Sequence, residues 1–116
     1  MKFKIFKFKK VTSTNDVAIN LIRKKKKEIG CVYADVQTQG RGSHGKKWIS
    51  NKGNIFISIF FKVNLVKTKI EHYLIINAKI IKKILQKYTT KIIKIKKPND
   101  LLIDKKKFCG ILQEVI

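Results

Sequence analysis

The period of the apolar residues changes several times along this 116-residue chain, and that constrains its fold more than any single motif does. Residues 2 to 9 alternate lysine with Phe and Ile, the period-two pattern of a strand. Behind Thr12-Ser13-Thr14-Asn15-Asp16, the apolar residues Val17, Ala18, Leu21 and Ile22 recur at helical spacing. Ser13 and Asp16 make a Ser-x-x-Asp capping pattern there, so a helix is expected to begin at this point and to stop at Gly30. Cys31 to Val36 reads as a short strand, and Ile55 to Val63 (IFISIFFKV) as a mostly buried one. A second helix is expected from Ile70 to Tyr88, where Leu74, Ala78, Ile81, Leu85 and Tyr88 draw one apolar stripe. Lys91 to Lys97 reads as a strand, Pro98-Asn99-Asp100 as a break, and Leu101 to Asp104 with Phe108 to Ile116 as a hairpin about a Lys105 to Lys107 tip. This order of elements predicts an α+β fold in one domain over residues 1–116, a mixed, mainly antiparallel sheet with two helices packed on it.

Charge is the next constraint. The 28 Lys plus Arg stand against 7 Asp plus Glu, a formal net charge of +21. Such a surplus suggests nucleic acid, because clustered cations gain affinity by releasing counterions from phosphate. Yet only Arg23 and Arg41 are arginine, and the lysines are spread throughout. The abundance of Ile and Asn beside Lys fits the codon bias of an AT-rich coding sequence, which needs no anionic partner. A lysine-rich nucleic-acid-binding module therefore stays as the alternative reading, and nucleic acid is not the expected partner. With 44% hydrophobic residues the chain is too apolar for disorder. The first ten residues lack the pattern of a signal peptide, and no apolar run approaches the roughly 20 residues of a membrane helix. Cys31 and Cys109 form neither a disulfide framework nor a Cys-x-x-Cys motif, so a reducing, cytoplasmic setting without membrane contact is expected.

Three segments put polar or cationic residues where the chain bends. They are Ser13-Thr14-Asn15, the loop of residues 37 to 47 (QTQGRGSHGKK) running into Trp48, and Lys96-Lys97-Pro98-Asn99-Asp100. In the loop, Gly40, Gly42 and Gly45 would let backbone N–H groups approach an anion, while Arg41, Lys46 and Lys47 add positive charge. A phosphate or carboxylate suits this segment, which matches neither a Walker A loop nor a dinucleotide fingerprint. Plainer readings exist for each group: Ser13 as a helix cap, Trp48 as a core residue, and Asn99 and Asp100 as turn residues. His44 reads as an ordinary loop residue.

In combination, Ser-Thr-Asn at a helix start, Gln-x-x-Gly-Arg-Gly-x-x-Gly-x-x-Trp in a loop, and Lys-x-Pro-Asn-Asp ahead of a hairpin ending Cys-Gly-Ile-Leu-x-Glu resemble the catalytic domain of biotin protein ligases. That likeness covers roughly residues 5 to 114. It implies the fold shared by biotin ligases and class II aminoacyl-tRNA synthetases, incomplete at the C-terminus. It also implies ATP-dependent activation of biotin to biotinyl-5′-AMP and transfer to a lysine of a biotin carboxyl carrier protein, an acetyl-CoA carboxylase subunit. A lipoate-type acyl ligase is the related alternative. By the same resemblance Arg41 and Lys96 are the catalytic cations. Ser13, Thr14, Asn15, Gln37, Arg41, Gly42, Ser43 and Lys96 would bind biotin, and Gly40, Arg41, Trp48 and Asn99 the nucleotide. Biotin and ATP would be the substrates, with Mg²⁺ placed at Asp100.

Two departures from the family pattern stand out. The family loop usually reads Gly-Arg-Gly-Arg, and here the second arginine position is Ser43; the tryptophan usual before the proline is replaced by Lys97. Family members continue into a further strand and a small C-terminal barrel, so the last hairpin strand is expected to leave an apolar edge open to self-association. With no winged-helix segment ahead of the motifs, a repressor role is not expected.

Overall fold

A computed structural model describes residues 3–116, in two units: the first runs to Val63 and the second spans Asn64–Val115. In the first, strand β1 (Lys4–Val11), helix α1 (Thr14–Lys25) and strand β2 (Gly30–Gln37) form a crossover, so β1 and β2 pair in parallel. Strand β3 (Phe56–Phe60) pairs antiparallel with the other side of β2, giving the order β1-β2-β3. A parallel pair needs a long return connection, and α1 supplies it. The helix covers one face of this sheet, where Ala18, Val32 and Phe60 make the core and Phe6, Val17, Leu21 and Ile22 pack against it.

With α1 packed on one face, β3 alternates. Phe56, Ser58 and Phe60 are buried, while Ile57 and Ile59 are 48% and 61% exposed. The mostly buried strand expected over Ile55 to Val63 is thus shorter and half-buried. The end of α1 also differs from expectation. Lys26 takes the left-handed conformation at φ 54°, and its N–H and that of Lys27 both turn back to the Leu21 carbonyl, which closes the helix before Gly30. Gly30 opens β2 instead, because a Cβ there would come within 2.6 Å of the Phe60 ring packed over it.

In the second unit, helix α2 (Ile70–Leu85) tightens into a 3-10 turn at Gln86–Tyr88. The tightening takes Tyr88 off the expected stripe, and it is 83% exposed, whereas Ala78 is buried. Strands β4 (Lys94–Lys96), β5 (Asp100–Ile103) and β6 (Lys106–Gly110) form an antiparallel sheet in sequence order. Ile93 and Leu101 are fully buried. The strand expected over Lys91 to Lys97 is shorter because the Gln86 side chain takes its first backbone groups, accepting from Ile93 N–H at 3.1 Å and donating to Lys91 O at 2.7 Å. The hairpin tip is Asp104-Lys105, both at positive φ (51° and 64°), one step earlier than expected, which puts Lys106 and Lys107 in β6. The strand expected to continue to Ile116 stops at Gly110. There Asn99 takes over both backbone groups of Ile111, its carbonyl accepting from Ile111 N–H at 3.1 Å and its amide donating to Ile111 O at 2.5 Å.

The α+β class holds, with three of the four strand pairings antiparallel, but the strands form two three-stranded sheets rather than one. Among the described residues no helix is long and apolar enough to cross a membrane.

Candidate functional site

The parallel pairing of β1 with β2 sets Val11 beside Gln37, so both strands end on the same side of the sheet. The ladder extends beyond them, as Thr38 N–H donates to Val11 O at 2.9 Å and Gln39 N–H to Thr12 O at 2.7 Å. This register lays the Gln37 side chain against the first turn of α1. The Gln37 Oε1 accepts from the Thr14 N–H at 2.7 Å and from its hydroxyl at 3.1 Å. A helix leaves its first N–H groups without internal partners. Here Gln37 satisfies one of them, and the Ser13 hydroxyl another, accepting from Asp16 N–H at 3.3 Å. Ser13 is therefore a helix cap, as its plainer reading had it.

The cluster continues inward. Gln37 Nε2 donates to Ser50 Oγ at 3.0 Å, and Ser50 donates to the Trp48 carbonyl at 2.8 Å. The Ser58 hydroxyl on β3 lies 2.7 Å from Thr14 Oγ1 and also meets the Asn15 side-chain amide. Ser13, Thr14, Ser50 and Ser58 are the buried polar residues among those described; Thr14, Ser50 and Ser58 are joined through Gln37 and Thr14, and Ser13 caps the same helix start. No buried side-chain polar atom among the described residues lacks a partner. Burying four hydroxyls is costly unless each is bonded, so the network is a built feature rather than a packing accident.

The glycine loop is tied to the same place. Gly40 is buried, and a Cβ there would fall 2.4 Å from Ser50 Oγ, 2.5 Å from Trp48 O and 2.9 Å from Gln37 Nε2. Glycine is thus required by close approach. Trp48 N–H donates to Gly40 O at 2.8 Å and Gly42 N–H to Lys46 O at 2.7 Å, with a bridge between Arg41 and Lys47, so the loop closes as a narrow ribbon. Its tip, Ser43–Gly45, is a single 3-10 turn with His44 at φ 57°, and Ser43 is exposed. The Trp48 indole is half-buried and borders Gly42, neither a core residue nor a free one. The Arg41 guanidinium pairs with the Asp16 carboxylate in the first turn of α1, both side chains about one-third to two-fifths exposed. Asp16 thus carries out half of the expected capping box through its backbone, while its carboxylate serves Arg41.

The structure therefore brings together Ser13, Thr14, Asn15, Gln37, Gly40, Arg41 and Trp48, with Gly42 and Ser43 farther along the same loop. Lys96, Asn99 and Asp100 belong to the second unit. Lys96 is exposed at the end of β4, opposite Asp100 in the ladder. Asn99 holds Ile111. The Asp100 carboxylate binds Lys107 Nζ at 2.9 Å. Near it, burial pushes the Cys109 thiol pKa up, with Lys107 opposing and Asp100 adding to the shift. Among the described residues no three His, Cys, Asp or Glu side chains gather to hold a metal ion.

Reasoning from the sequence missed Ser50, Ser58 and the Asp16 partnership. A signal for Ser58 did exist. It is the one polar residue in IFISIFF, and it has the same parity as Phe56 and Phe60.

Residues 6–116 match the Biotin/lipoate A/B protein ligase family. The chain is 29% identical over 106 residues to the bifunctional ligase/repressor BirA of Escherichia coli (strain K12), and 31% identical over 106 residues to BirA of Bacillus subtilis (strain 168). Each match covers 90% of this chain and 33% of the relative, so the chain spans about a third of the length of these curated proteins. Among solved structures, it superposes on the biotin protein ligase from Aquifex aeolicus in complex with biotin and ATP with a TM-score of 0.81 and 27% identity, covering 97% of this chain and 47% of that one. The biotin protein ligase from Leishmania major in complex with biotinyl-5-AMP gives a TM-score of 0.79 at 26% identity, covering 97% and 52%.

Proposed function

Because this chain belongs to the Biotin/lipoate A/B protein ligase family, we propose that its hydroxyl cluster and glycine loop form the biotin end of an ATP-dependent biotin ligase site. In the proposed reaction a biotin carboxylate oxygen bonds to the α-phosphorus of ATP and pyrophosphate leaves, giving biotinyl-5′-AMP. A lysine amine of a carrier protein then attacks the acyl carbon, and AMP departs with the former carboxylate oxygen.

The observation that carries this reading is the concentration of buried hydroxyls and two amide side chains, Asn15 and Gln37, around the start of α1. A ureido head is compact and rich in donors and acceptors, and it needs matched polar groups held rigidly. Thr14, Asn15 and Gln37 supply both kinds in fixed positions, supported by Ser13 and Ser50. The second requirement is cationic, since a carboxylate and a polyphosphate repel one another. Arg41 is proposed for this role, with Asp16 as its resting counter-charge and the ligand's anions competing for the same guanidinium. Lys96 is proposed as the second cation, in the role the family resemblance gives it, and Gly40, Gly42, Trp48 and Asn99 as nucleotide contacts. The Asp100 carboxylate, already engaged by Lys107, does not offer a ready Mg²⁺ site, so no step is routed through the metal. The carrier protein is proposed as acceptor, the cytoplasm as the compartment, and the exposed edge of β6 as the surface through which copies would associate.

Isothermal titration with biotin, then with biotin plus MgATP, tests the reading. One-to-one binding that converts to adenylate with release of pyrophosphate supports it. No binding by the folded chain, or preference for lipoate in competition, overturns it. At the loop tip, Ser43 lacks the cation usual in the family, and we expect biotinyl-adenylate to leave faster than from the Ser43→Arg variant; equal off-rates would remove that idea.

A further inference from the structure

We propose that Ser58 of β3 is a positioning residue of this pocket, its buried hydroxyl locking the Asn15 side-chain amide in the orientation that meets the ligand head. The proposal rests on the ligand reading above but adds a residue from a different strand, one that no sequence motif marks.

Three observations carry it. The first is placement: Ser58 pairs with Val32 in the ladder and points into the covered face, flanked in alternation by Phe56 and Phe60. An apolar side chain would suit such a position, and a hydroxyl belongs there only if it is bonded. The second is its set of partners, for the hydroxyl faces two acceptors, Thr14 Oγ1 at 2.7 Å and the Asn15 side-chain carbonyl Oδ1. A serine hydroxyl has one proton, so the two neighbours are not independent; whichever oxygen takes it decides what the other must present. Thr14 is itself committed, since its N–H and hydroxyl both lie against Gln37 Oε1. The third is a gradient of exposure. Ser58 is 7% and Thr14 4% exposed, while Asn15 is half-buried, the outermost member of this line of contacts. Ser58 therefore acts from behind, through Asn15, and does not itself meet the ligand.

A donor on Asn15 Oδ1 favours one of the two flipped orientations of the amide, and so fixes which end, carbonyl or NH₂, the ligand meets. Ser58→Ala removes the lock while leaving the strand and its apolar neighbours in place. The test is a double-mutant cycle read as biotin affinity by titration calorimetry, with Ser58→Ala, Asn15→Ala and the double variant. The expected loss for Ser58→Ala is about tenfold in the parent chain and under about twofold when Asn15 is already alanine, the measure of action through Asn15. Ser58→Cys, which keeps the size and a weak donor, should recover part of the loss. Equal losses in both backgrounds would make Ser58 a merely structural residue and overturn the proposal.

A second readout is independent of ligand. The Asn15 side-chain NH₂ resonances, assigned by their disappearance in Asn15→Asp, should shift in Ser58→Ala, because the amide oxygen loses the hydroxyl that donates to it. Unchanged resonances would also overturn the proposal. Should the parent chain bind no biotin, the biotin reading fails, and the resonance measurement still decides the role of Ser58.

Discussion

The two units spend their buried volume differently. In the first, Ala18, Val32 and Phe60 form an apolar core under α1, and at the start of that helix the chain buries Ser13 as a cap and Thr14, Ser50 and Ser58 in a hydrogen-bond network through Gln37. In the second, the fully buried side chains Ile93 and Leu101 are aliphatic, and the cations stay on the surface; Lys79, Lys82, Lys83 and Lys87 line an open groove of about 530 Å³ beside Ile95. A buried aliphatic side chain contributes stability and little else. A buried hydroxyl network costs desolvation, which folding alone gives no reason to accept. The contrast agrees with the proposal that the biotin end of the site lies in the first unit, and it can be broken by substitution.

The largest effect is expected at Leu101. Leu101→Ala should lower the unfolding free energy by about 2–5 kcal/mol, the usual range for a fully buried leucine, with biotin affinity of the folded fraction changed by less than about threefold. Denaturant melts and titration calorimetry check the two halves; a large affinity loss in a chain that still melts normally would end the division between the units. Next in size is Gly40→Ala. The added methyl has nowhere to go between Ser50 Oγ, Trp48 O and Gln37, so the loop root must shift, at about 1–3 kcal/mol. That cost should appear chiefly as a loss of biotin affinity of up to about 100-fold, since the displaced groups line the proposed pocket. An affinity as in the parent chain would show that the loop root is not part of the site.

Asp16→Asn is smaller. The Arg41–Asp16 pair is partly solvated, so its coupling should be no more than about 1 kcal/mol and should shrink with added salt. If Asp16 only neutralises Arg41 until an anion arrives, the variant should bind ATP as tightly as the parent chain or slightly tighter. Weaker binding would instead make Asp16 a necessary support for the arginine.

How much of this was legible in the sequence follows from the range of the interactions. The Ser13 cap, the start of α1 and the polar run Thr14-Asn15 depend on residues within one helical turn, and they stand out as a local pattern. The glycine loop was legible as a loop because no apolar residue falls between 37 and 47. Contacts made across strands were not. That Gly30 serves the Phe60 ring rather than ending α1 depends on the β2–β3 register, and so does the meeting of Ser58 with Thr14, 44 residues earlier in the chain. The end of β6 likewise depends on Asn99 reaching Ile111, a pairing that adjacent residues do not announce. The resemblance to biotin ligases carried such long-range information implicitly, since it grouped Ser13-Thr14-Asn15 with Gln37 and the glycine loop, which the structure brings into contact.

The smallest prediction uses the two thiols as reporters of the two units. Burial raises both Cys31 and Cys109 above the ordinary 9.0, so at neutral pH each is the protonated, poorly nucleophilic form. A raised folded-state pKa means that the folded chain keeps its proton where the unfolded chain loses it. The small stability contribution is therefore intact below pH 9.0 and disappears as the pH rises through the folded-state values. Accessibility separates the two sites: Cys31 lies in the central strand β2 and is 7% exposed, while Cys109 in the edge strand β6 is half-buried. Alkylation by iodoacetamide at pH 8, followed by mass spectrometry, should modify Cys109 at least about tenfold faster than Cys31, because a central strand exposes its thiol only on wider opening. Biotin should slow Cys31 further and leave Cys109 nearly unchanged, since a ligand held at the ends of β1 and β2 opposes opening of the sheet that contains Cys31. Equal protection of both thiols would mean that the ligand stabilises the chain as one cooperative body, and the division of roles between the units would then be one of composition alone.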